Sequence, residues 1–198
     1  MSSILTYTTQ DKCDGYREDS FYPTPWEATE SFLLAEESWL TAHDEIDEPA
    51  CGTGEIAEVI RGHGKRVFAS DLVDRGYGIG GRDFLSLSHP RRGTGLITNP
   101  PYDDDLAEAF IRMAHEKGYG YIAMLLKANY WHAQKRHPLF RRFRPVRIRP
   151  LGWRVDFTGG GSNHFDCIWV VWIPSDGGKT EYCHPLERPS GLSQGYLF

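Results

Sequence analysis

The four consecutive residues Asn99-Pro100-Pro101-Tyr102 are the part of this 198-residue sequence best suited to carry chemistry. They follow Gly95–Thr98, a short apolar run that predicts a buried strand. The two prolines fix the backbone and remove two N–H donors, so the Asn99 side-chain oxygen and the Pro100 carbonyl remain as neighbouring acceptors. Two adjacent acceptors suit a planar amino group, and the Tyr102 ring offers a flat face to a base or an amide. The alternative is a proline-rich turn.

A second segment with chemical potential is Glu48-Pro49-Ala50-Cys51-Gly52-Thr53-Gly54. Glycines between a strand and a helix let the backbone approach a ligand closely, and the helix N-terminus offers free N–H groups to an anion. Asp71 ends the next predicted strand, where an acid suits the two hydroxyls of a ribose. Taken alone these residues are ambiguous, because Gly52–Ala57 also fits the G-x-G-x-x-A dinucleotide fingerprint. An ordinary glycine turn stays open as well.

The elements that must position these residues alternate between strands and helices, which predicts an α/β fold with a mostly parallel sheet. Thr24-Pro25-Trp26-Glu27 predicts the start of the first helix, with Thr24 as its cap. Segment 45–50 is expected to form the first strand, although its acidic residues suit a buried parallel strand poorly. The last two strands, 146–151 and 167–173, have only a loop between them and should pair antiparallel.

Composition excludes several classes of protein. A net charge of −5 argues against a general nucleic-acid coat protein, and no apolar run approaches the length of a membrane span. The N-terminal residues show no secretion signal. The four cysteines are widely spaced and the histidines form no set with them, which favours reduced thiols in the cytoplasm and predicts no metal site. We expect one domain at 21–174, between a polar arm at 1–20 and a tail at 175–198.

The order of these segments resembles the class I S-adenosylmethionine-dependent methyltransferases in which Asn-Pro-Pro-Tyr follows the fourth strand. The chain is most similar to short phage-type DNA adenine-N6 methyltransferases, and the resemblance covers about residues 21–174. It implies a Rossmann-like, mostly parallel seven-stranded sheet with an antiparallel final hairpin and helices on both faces. It also implies S-adenosylmethionine as the cofactor, DNA as the partner and a cytoplasmic protein, in the host if a phage encodes it.

The resemblance assigns roles to individual residues. Asn99, Pro100, Pro101 and Tyr102 would be catalytic, Asp71 would hold the ribose, and Asp83 and Phe84 would flank the adenine of the cofactor. The full set expected to bind the cofactor is Tyr22, Thr24, Pro25, Glu48, Pro49, Ala50, Gly52, Gly54, Asp71, Leu72, Asp83 and Phe84.

Two further segments are candidates for contact with the acceptor. Residues 135–154 contain no Asp or Glu and hold eight of the 22 basic residues, namely Lys135, Arg136, Arg141, Arg142, Arg144, Arg147, Arg149 and Arg154. As a DNA-facing strip they would contact phosphates without reading sequence; the alternative is a solvated face. In the loop at 158–166, Phe165 or His164 would pack on an extruded base, or Phe165 would anchor the loop in the core.

Several alternatives to DNA methylation stay open at this point. Asn-Pro-Pro-Tyr also occurs in enzymes that methylate glutamine side chains or guanine N2 in RNA, so an RNA or protein acceptor is the first alternative. A nicotinamide-dependent oxidoreductase would account for the glycine fingerprint and Asp71 but leaves Asn99 to Tyr102 unexplained. A nucleic-acid-binding module without turnover is the third, and the intact Asn-Pro-Pro-Tyr speaks against it.

Overall fold

A computed structural model describes residues 22–158 and 165–191, except for the side chain of Asp104. The strands within these ranges are β1 Glu45–Glu48, β2 Arg66–Ala69, β3 Gly95–Thr98, β4 Tyr121–Lys127, β5 Arg147–Pro150, β6 Cys167–Trp172 and β7 Glu181–Tyr182. The helices are α1 Trp26–Leu40, α2 Glu55–Gly62, α3 Asp104–Glu116, α4 Ala128–His132 and α5 His137–Arg142, with a 3₁₀ turn at Gln134–Arg136 before α5.

The seven strands found in the described residues form one sheet in the order β2-β1-β3-β4-β6-β5-β7. The first four neighbours pair parallel, whereas β6 runs antiparallel to both β4 and β5. The predicted parallel sheet with an antiparallel final hairpin is therefore confirmed. Because β1 and β3 are adjacent and parallel, their carboxyl ends place the segments after Glu48 and Thr98 side by side.

The seventh strand comes from the segment that we expected to be a tail. β7 pairs parallel with β5, and Leu186 further along exchanges backbone hydrogen bonds with Pro150 and Gly152. Leu186 is also buried in the main hydrophobic core. The prediction of a tail missed these contacts because the segment has few apolar residues, and its attachment depends on backbone hydrogen bonds at a sheet edge.

Helices cover both faces of the sheet, as predicted. Successive residues of β6 serve the two faces in turn: Trp169 joins the core beneath α1 and α2, and Trp172 joins the core beneath α3. The Trp169 ring stacks on Phe32 of α1 at 4.4 Å between centroids, and its Nε1 donates to the Ala28 carbonyl at 2.9 Å. Burial of each such aromatic side chain contributes about 1.5–3 kcal/mol, which fixes α1 over the sheet.

The acidic strand β1 occupies a central position in the sheet, in spite of its composition. Asp47 is buried, and its carboxylate accepts hydrogen bonds from the backbone N–H groups of Arg92 and Gly93 at 2.8 and 2.9 Å and from the Tyr119 hydroxyl at 2.5 Å. A buried carboxylate is tolerated when its oxygens are hydrogen-bonded. Asp47 thereby ties β1 to the segment that leads into β3.

A buried ion cluster joins α1 to strands β4 and β5. Glu36 is fully buried and accepts hydrogen bonds from Arg147 at 2.7 and 2.8 Å, from Arg149 at 2.5 Å and from the Tyr121 hydroxyl at 2.8 Å. The carboxylate is thus paired and fully hydrogen-bonded, the condition under which a buried ion pair is tolerated. Together with the Trp169 contact, the cluster holds α1 rigidly, and with it the chain that precedes α1.

Candidate functional site

The carboxyl ends of β1 and β3 open into a cleft of about 500 Å³. The chain that leads into α1 covers one side of it, and the glycine loop after β1 forms its floor. The predicted site residues that line this cleft are Tyr22, Thr24, Glu48, Ala50, Gly52, Asp71, Asn99, Pro100, Pro101 and Tyr102. The structure therefore brings together the proposed catalytic motif and half of the twelve residues expected to bind the cofactor.

The glycine loop needs its two glycines. Gly52 and Gly54 both have positive φ angles, of 54° and 101°, in a region that residues with a Cβ rarely adopt. A Cβ on Gly54 would also lie 2.4 Å from the ring of Tyr77, which folds back over the loop. Gly54 then caps the N-terminus of α2. Of the two glycines, Gly52 lines the cleft, whereas Gly54 is covered by Tyr77 and forms the turn into α2.

Asp71 is connected to the glycine loop by a direct hydrogen bond. Its Oδ2 accepts from the backbone N–H of Gly52 at 2.9 Å, its Oδ1 accepts from the N–H of Val73 at 2.9 Å, and Arg75 Nη1 lies 3.5 Å from Oδ1. Each carboxylate oxygen can accept more than one hydrogen bond. Asp71 thus organises the loop, and it still lines the cleft where a ribose is expected.

Glu48 is a buried acid with one oxygen that makes no hydrogen bond within the described residues. Only 1% of this residue is exposed, its Oε2 has no partner there, and the backbone N–H of Ala57 bonds to its carboxyl group. Burial raises the pKa of Glu48 well above its ordinary value, and the nearby carboxylates of Glu55 and Asp71 raise it further. These surroundings therefore favour the protonated form of the carboxyl group, and a cationic ligand group beside its Oε2 would favour the ionised form instead.

The side-chain amide of Asn99 has a defined orientation. Its Nδ2 donates to Thr24 Oγ1 at 3.0 Å and to the Tyr22 carbonyl at 3.4 Å. Its Oδ1 is buried and accepts no hydrogen bond from any described residue. The prediction of Thr24 as a helix cap is wrong, because Pro25 is the N-cap of α1 and makes no side-chain cap bond. The Thr24 hydroxyl instead orients Asn99 so that one acceptor is left over.

Tyr102 lies in a cluster of aromatic rings beside Asn99. Its ring centroid is 5.5 Å from that of Tyr22, 5.8 Å from Phe157 and 6.0 Å from Phe165. Burial raises the pKa of the Tyr102 hydroxyl, whose oxygen lies 3.8 Å from the Cys167 Sγ. Phe165 packs against the core and is only partly buried. Both hypotheses, a core anchor and a ring that stacks on a base, therefore stay open. His164 lies outside the described residues.

Some predicted cofactor residues lie apart from this cleft. Pro49 and Phe84 line a separate cleft against the other face of the sheet, and Phe84 packs on Phe110 at 4.8 Å in the core beneath α3. The Asp83 carboxylate accepts from the backbone N–H of Leu85 and forms a local turn. Leu72 is half-buried beside Asp71, and neither Leu72, Pro25 nor Gly54 lines the main cleft.

The basic segment does not form one continuous strip. Arg136 is buried, with its guanidinium 3.5 Å from the centroid of the Tyr130 ring. Arg147 and Arg149 are bound to Glu36 as described above. The prediction that Arg136 faces DNA is therefore wrong, because this side chain turns inward to an aromatic ring. The side chains of the segment that remain exposed near α5 are Lys135, Arg141, Arg142 and Arg144.

Two residues near the site were not predicted from the sequence. Lys127 ends β4, and its Nζ lies 4.0 Å from the Phe165 ring centroid and 5.0 Å from that of Tyr102. Tyr77 covers Gly54 and shares a hydrogen bond of 2.5 Å with Glu58. A cation at the carboxyl end of an apolar parallel strand is a sequence signal for Lys127. No comparable signal exists for Tyr77, whose position depends on how its loop folds back.

Two absences hold for the part of the chain that the structure describes. In 22–158 and 165–191, no group of His, Cys, Asp and Glu side chains is arranged to hold a metal ion. No helix in the same ranges is long and apolar enough to cross a membrane.

Burial raises the pKa of Cys51, beside the glycine loop, to about 12, so this thiol is a packing group.

Comparison with solved structures identifies the fold. The chain superposes on a Listeria monocytogenes protein assigned to the class I S-adenosylmethionine-dependent methyltransferases with a TM-score of 0.59, at 16% identity over 90% of this chain and 68% of that one. The chain has the class I methyltransferase fold. No protein-family model matches the sequence, and no curated protein matches it either.

Two other solved structures share this methyltransferase fold. One is described as an RNA methyltransferase from Pyrococcus horikoshii, with a TM-score of 0.59 and 13% identity over 77% of this chain and 85% of that one. The other is the 1,6-didemethyltoxoflavin-N1-methyltransferase of Burkholderia thailandensis with bound S-adenosylhomocysteine, with a TM-score of 0.57 and 13% identity over 89% of this chain and 94% of that one. The acceptors differ between these proteins, so the acceptor must be argued from the site.

Proposed function

We propose that this protein is an S-adenosylmethionine-dependent N-methyltransferase that acts on an exocyclic amino group, and that its acceptor is the N6 amino group of adenine in DNA. The observation that carries the proposal is the buried Asn99 Oδ1, an acceptor that no described residue satisfies. It lies on the cleft of a class I methyltransferase fold, next to the Pro100 carbonyl. A buried acceptor of this kind is costly unless a ligand satisfies it.

The residues of the cleft fit the cofactor. When bound, S-adenosylmethionine supplies an electrophilic methyl group on its sulfonium sulfur. The unpaired Oε2 of buried Glu48 suits the α-ammonium group, since a cation next to this carboxyl would favour its ionised form. Asp71 retains lone pairs for ribose hydroxyls, and the left-handed Gly52 leaves backbone room beside it.

Asn99 and Tyr102 position the acceptor in this proposal. The Asn99 Oδ1 and the Pro100 carbonyl accept the two hydrogens of the amino group and draw the nitrogen lone pair out of conjugation. With the cofactor bound, this lone pair would attack the methyl group that the cofactor supplies, and the electron pair of the broken methyl–sulfur bond would remain on sulfur. The nitrogen afterwards releases its extra proton to solvent, so no strong base is needed. Catalysis by such a site depends on positioning and electrostatics.

An aromatic base is the acceptor that the surroundings favour. The Tyr102 ring lines the cleft and would stack on the base, Phe165 packs edge-on against Tyr102, and the exposed Arg141 and Arg144 lie at the end of α5. Base–aromatic stacking contributes roughly 1–3 kcal/mol per base, and the arginines would contact phosphates. A base within a duplex would have to be extruded to reach Asn99. A glutamine amide or an RNA guanine also presents a planar nitrogen, and the experiment must separate these acceptors.

The decisive experiment is methyl transfer from radiolabelled S-adenosylmethionine to separate pools of DNA, RNA and protein. We expect label in DNA, recovered as N6-methyladenine after digestion. The Asn99→Ala protein serves as the control, because it should bind the cofactor and transfer no label. Label in guanine of RNA or in glutamine would assign the site to another acceptor. Binding of NAD in preference to S-adenosylmethionine would favour an oxidoreductase.

A further inference from the structure

A groove on the surface lies between α4 and α5, outside the cleft. Counted to its open mouth it measures about 790 Å³, and its lining consists of Trp131, His132, His137, Phe140, Arg141 and Arg144. The Trp131 ring is half-buried and packs on Phe140 with 4.6 Å between centroids. The floor is therefore a fixed aromatic surface, because Phe140 belongs to the core beneath it.

The charge of the groove has one sign. Arg141 and Arg144 are exposed on its wall, no acid belongs to the lining, and no carboxylate of the described residues pairs with either arginine. Arg142 differs from them, because its guanidinium lies 5.3 Å from the ring of Phe143 and it does not line the groove. The structure thus separates Arg141 and Arg144, which line the groove, from Arg142, which does not. The sequence alone could not distinguish these three arginines.

The groove starts close to the proposed acceptor site. α4 begins directly after Lys127, whose Nζ lies 5.0 Å from the Tyr102 ring centroid. Trp131 follows four residues later, which is about 6 Å of rise along a helix. The short helix α4 therefore begins beside a side chain that reaches Tyr102 and ends with two residues that line the groove.

We propose that this groove binds one nucleotide of a single-stranded segment, with its base on Trp131 and its phosphate between Arg141 and Arg144. The chemistry is that of a stacking platform beside fixed cations, which binds nucleic acid with little sequence preference. The further step, that this nucleotide is a neighbour of the methylated base, rests on the proposed function. An acidic peptide would use the arginines but would leave the flat Trp131 face without a partner, so nucleic acid is favoured.

Binding of a fluorescein-labelled oligothymidylate tests the groove, measured by fluorescence anisotropy over a series of salt concentrations. Thymine has no exocyclic amino group, so this probe cannot act as the methyl acceptor. The Arg141→Gln/Arg144→Gln protein should lose about 0.7 units of the slope of log affinity against log salt, the value for one single-strand phosphate. The matched control is Lys135→Gln/Arg142→Gln, which removes the same charge outside the groove and should change the slope by less than half as much.

Trp131 is tested separately from the charges. Trp131→Ala should weaken oligothymidylate binding about tenfold at every salt concentration with an unchanged slope, as expected for the loss of one stacked base. Trp131→Phe keeps a flat ring and should retain most of the affinity. Trp131→Leu keeps the apolar bulk and should fold, but it should bind as weakly as the alanine protein, so a folding defect cannot mimic the result.

Three results would contradict the proposal that this groove binds a nucleotide. They are equal slope changes in the two double variants, full affinity in Trp131→Leu, and competition by polyglutamate at the same charge concentration, which would indicate an acidic protein partner. Methyl transfer to adenine is measured in its own assay. If the protein binds oligothymidylate but transfers no methyl group, the proposed function is refuted and the nucleotide-binding groove is supported. If it transfers methyl groups but these variants do not change oligothymidylate binding, the groove is refuted and the proposed function is supported.

Discussion

The side-chain amide of Asn99 donates through Nδ2 to the hydroxyl oxygen of Thr24 at 3.0 Å. This contact joins the end of β3 to the chain that enters α1, two parts of the sequence separated by 75 residues. It decides which end of the amide remains available, because Nδ2 is occupied and Oδ1 is left as a buried acceptor. Because this acceptor is already oriented, no reorganisation is needed when an amino group binds. Such preorganisation favours catalysis at an amino nitrogen.

Asn99→Ala should abolish methyl transfer and leave cofactor binding nearly intact. Its oxygen is proposed to act most strongly as the acceptor nitrogen becomes tetrahedral, and a contact of this kind affects rate more than binding. Loss of one such contact lowers the rate by roughly 10²–10³. Thr24→Val, which removes one of the two acceptors of Nδ2, should lower the rate less. Single-turnover kinetics with calorimetry of S-adenosylhomocysteine would check both, and an Asn99→Ala protein with the original rate would refute the role.

Tyr102 is expected to contribute its ring and not its hydroxyl. Tyr102→Phe keeps the ring and loses only a hydroxyl group that lies 3.8 Å from the Cys167 Sγ and beside the Asn99 side chain, so it should retain most activity. Tyr102→Ala removes a stacking face worth about 1–3 kcal/mol per base, and acceptor affinity should fall together with the rate. Acceptor titrations of the two variants provide the comparison. Equal damage in both would point to the hydroxyl instead.

Asp71→Asn should weaken both the cofactor site and the fold. The carboxylate accepts backbone N–H groups of Gly52 and Val73, and an amide can accept only through one atom, so its NH₂ would face a donor. A buried donor left without a partner costs about 1–3 kcal/mol. Thermal unfolding should show this loss without ligand, and calorimetry should show an additional loss of affinity. Full affinity in the Asn protein would remove Asp71 from the ribose site.

Glu48 predicts a dependence of stability on pH. Because burial raises its pKa, the folded protein holds this proton more tightly than the unfolded chain does. Its contribution to stability is complete below the ordinary pKa of 4.5 and is lost as the pH rises toward the raised value. Glu48→Gln is always neutral, so its advantage in melting temperature over the wild type should grow as the pH rises above the ordinary pKa of 4.5. An advantage that does not vary with pH would contradict the shift.

Cofactor binding should release the proton of Glu48. The α-ammonium group of S-adenosylhomocysteine favours the ionised carboxylate, so binding to the wild type should release up to one proton and should tighten as the pH rises above the ordinary pKa of 4.5. Calorimetry in two buffers of different ionisation enthalpy measures the release. Glu48→Gln should release none and bind more weakly. Identical proton release in the two proteins would place Glu48 away from the ammonium group.

Glu36 should be essential for stability although it is remote from the cleft. It is fully buried and pairs with Arg147 and Arg149, so Glu36→Gln leaves two buried or half-buried cations without their counter-ion. Removal of one partner from a buried ion pair costs about 3–5 kcal/mol. The exposed neighbour Glu37→Gln is the matched control and should change stability by less than about 0.5 kcal/mol. Urea unfolding of the two variants compares them directly.

The local motifs were predictable from the sequence because their backbone chemistry is local. Glycines that need positive φ, prolines that fix a strand end and an apolar strand such as β4 carry their structural reasons within a few residues. Their order along the chain also predicted the parallel sheet and the antiparallel hairpin. The adjacency of the Gly52 and Asn99 segments follows, since parallel neighbours end at the same sheet edge.

The destinations of charged and polar side chains were decided only by tertiary structure. Arg141, Arg142, Arg147 and Arg149 look alike in the sequence, yet Glu36 binds two of them, and only Arg141 of the other pair reaches the groove. Thr24 has the local pattern of a helix cap, but its hydroxyl serves Asn99. A side-chain hydrogen bond or ion pair depends on which elements pack face to face, and the partner is remote in sequence. The sequence therefore determined the fold and the place of the site, and the packing of α1 on the sheet determined which atoms remain free to bind.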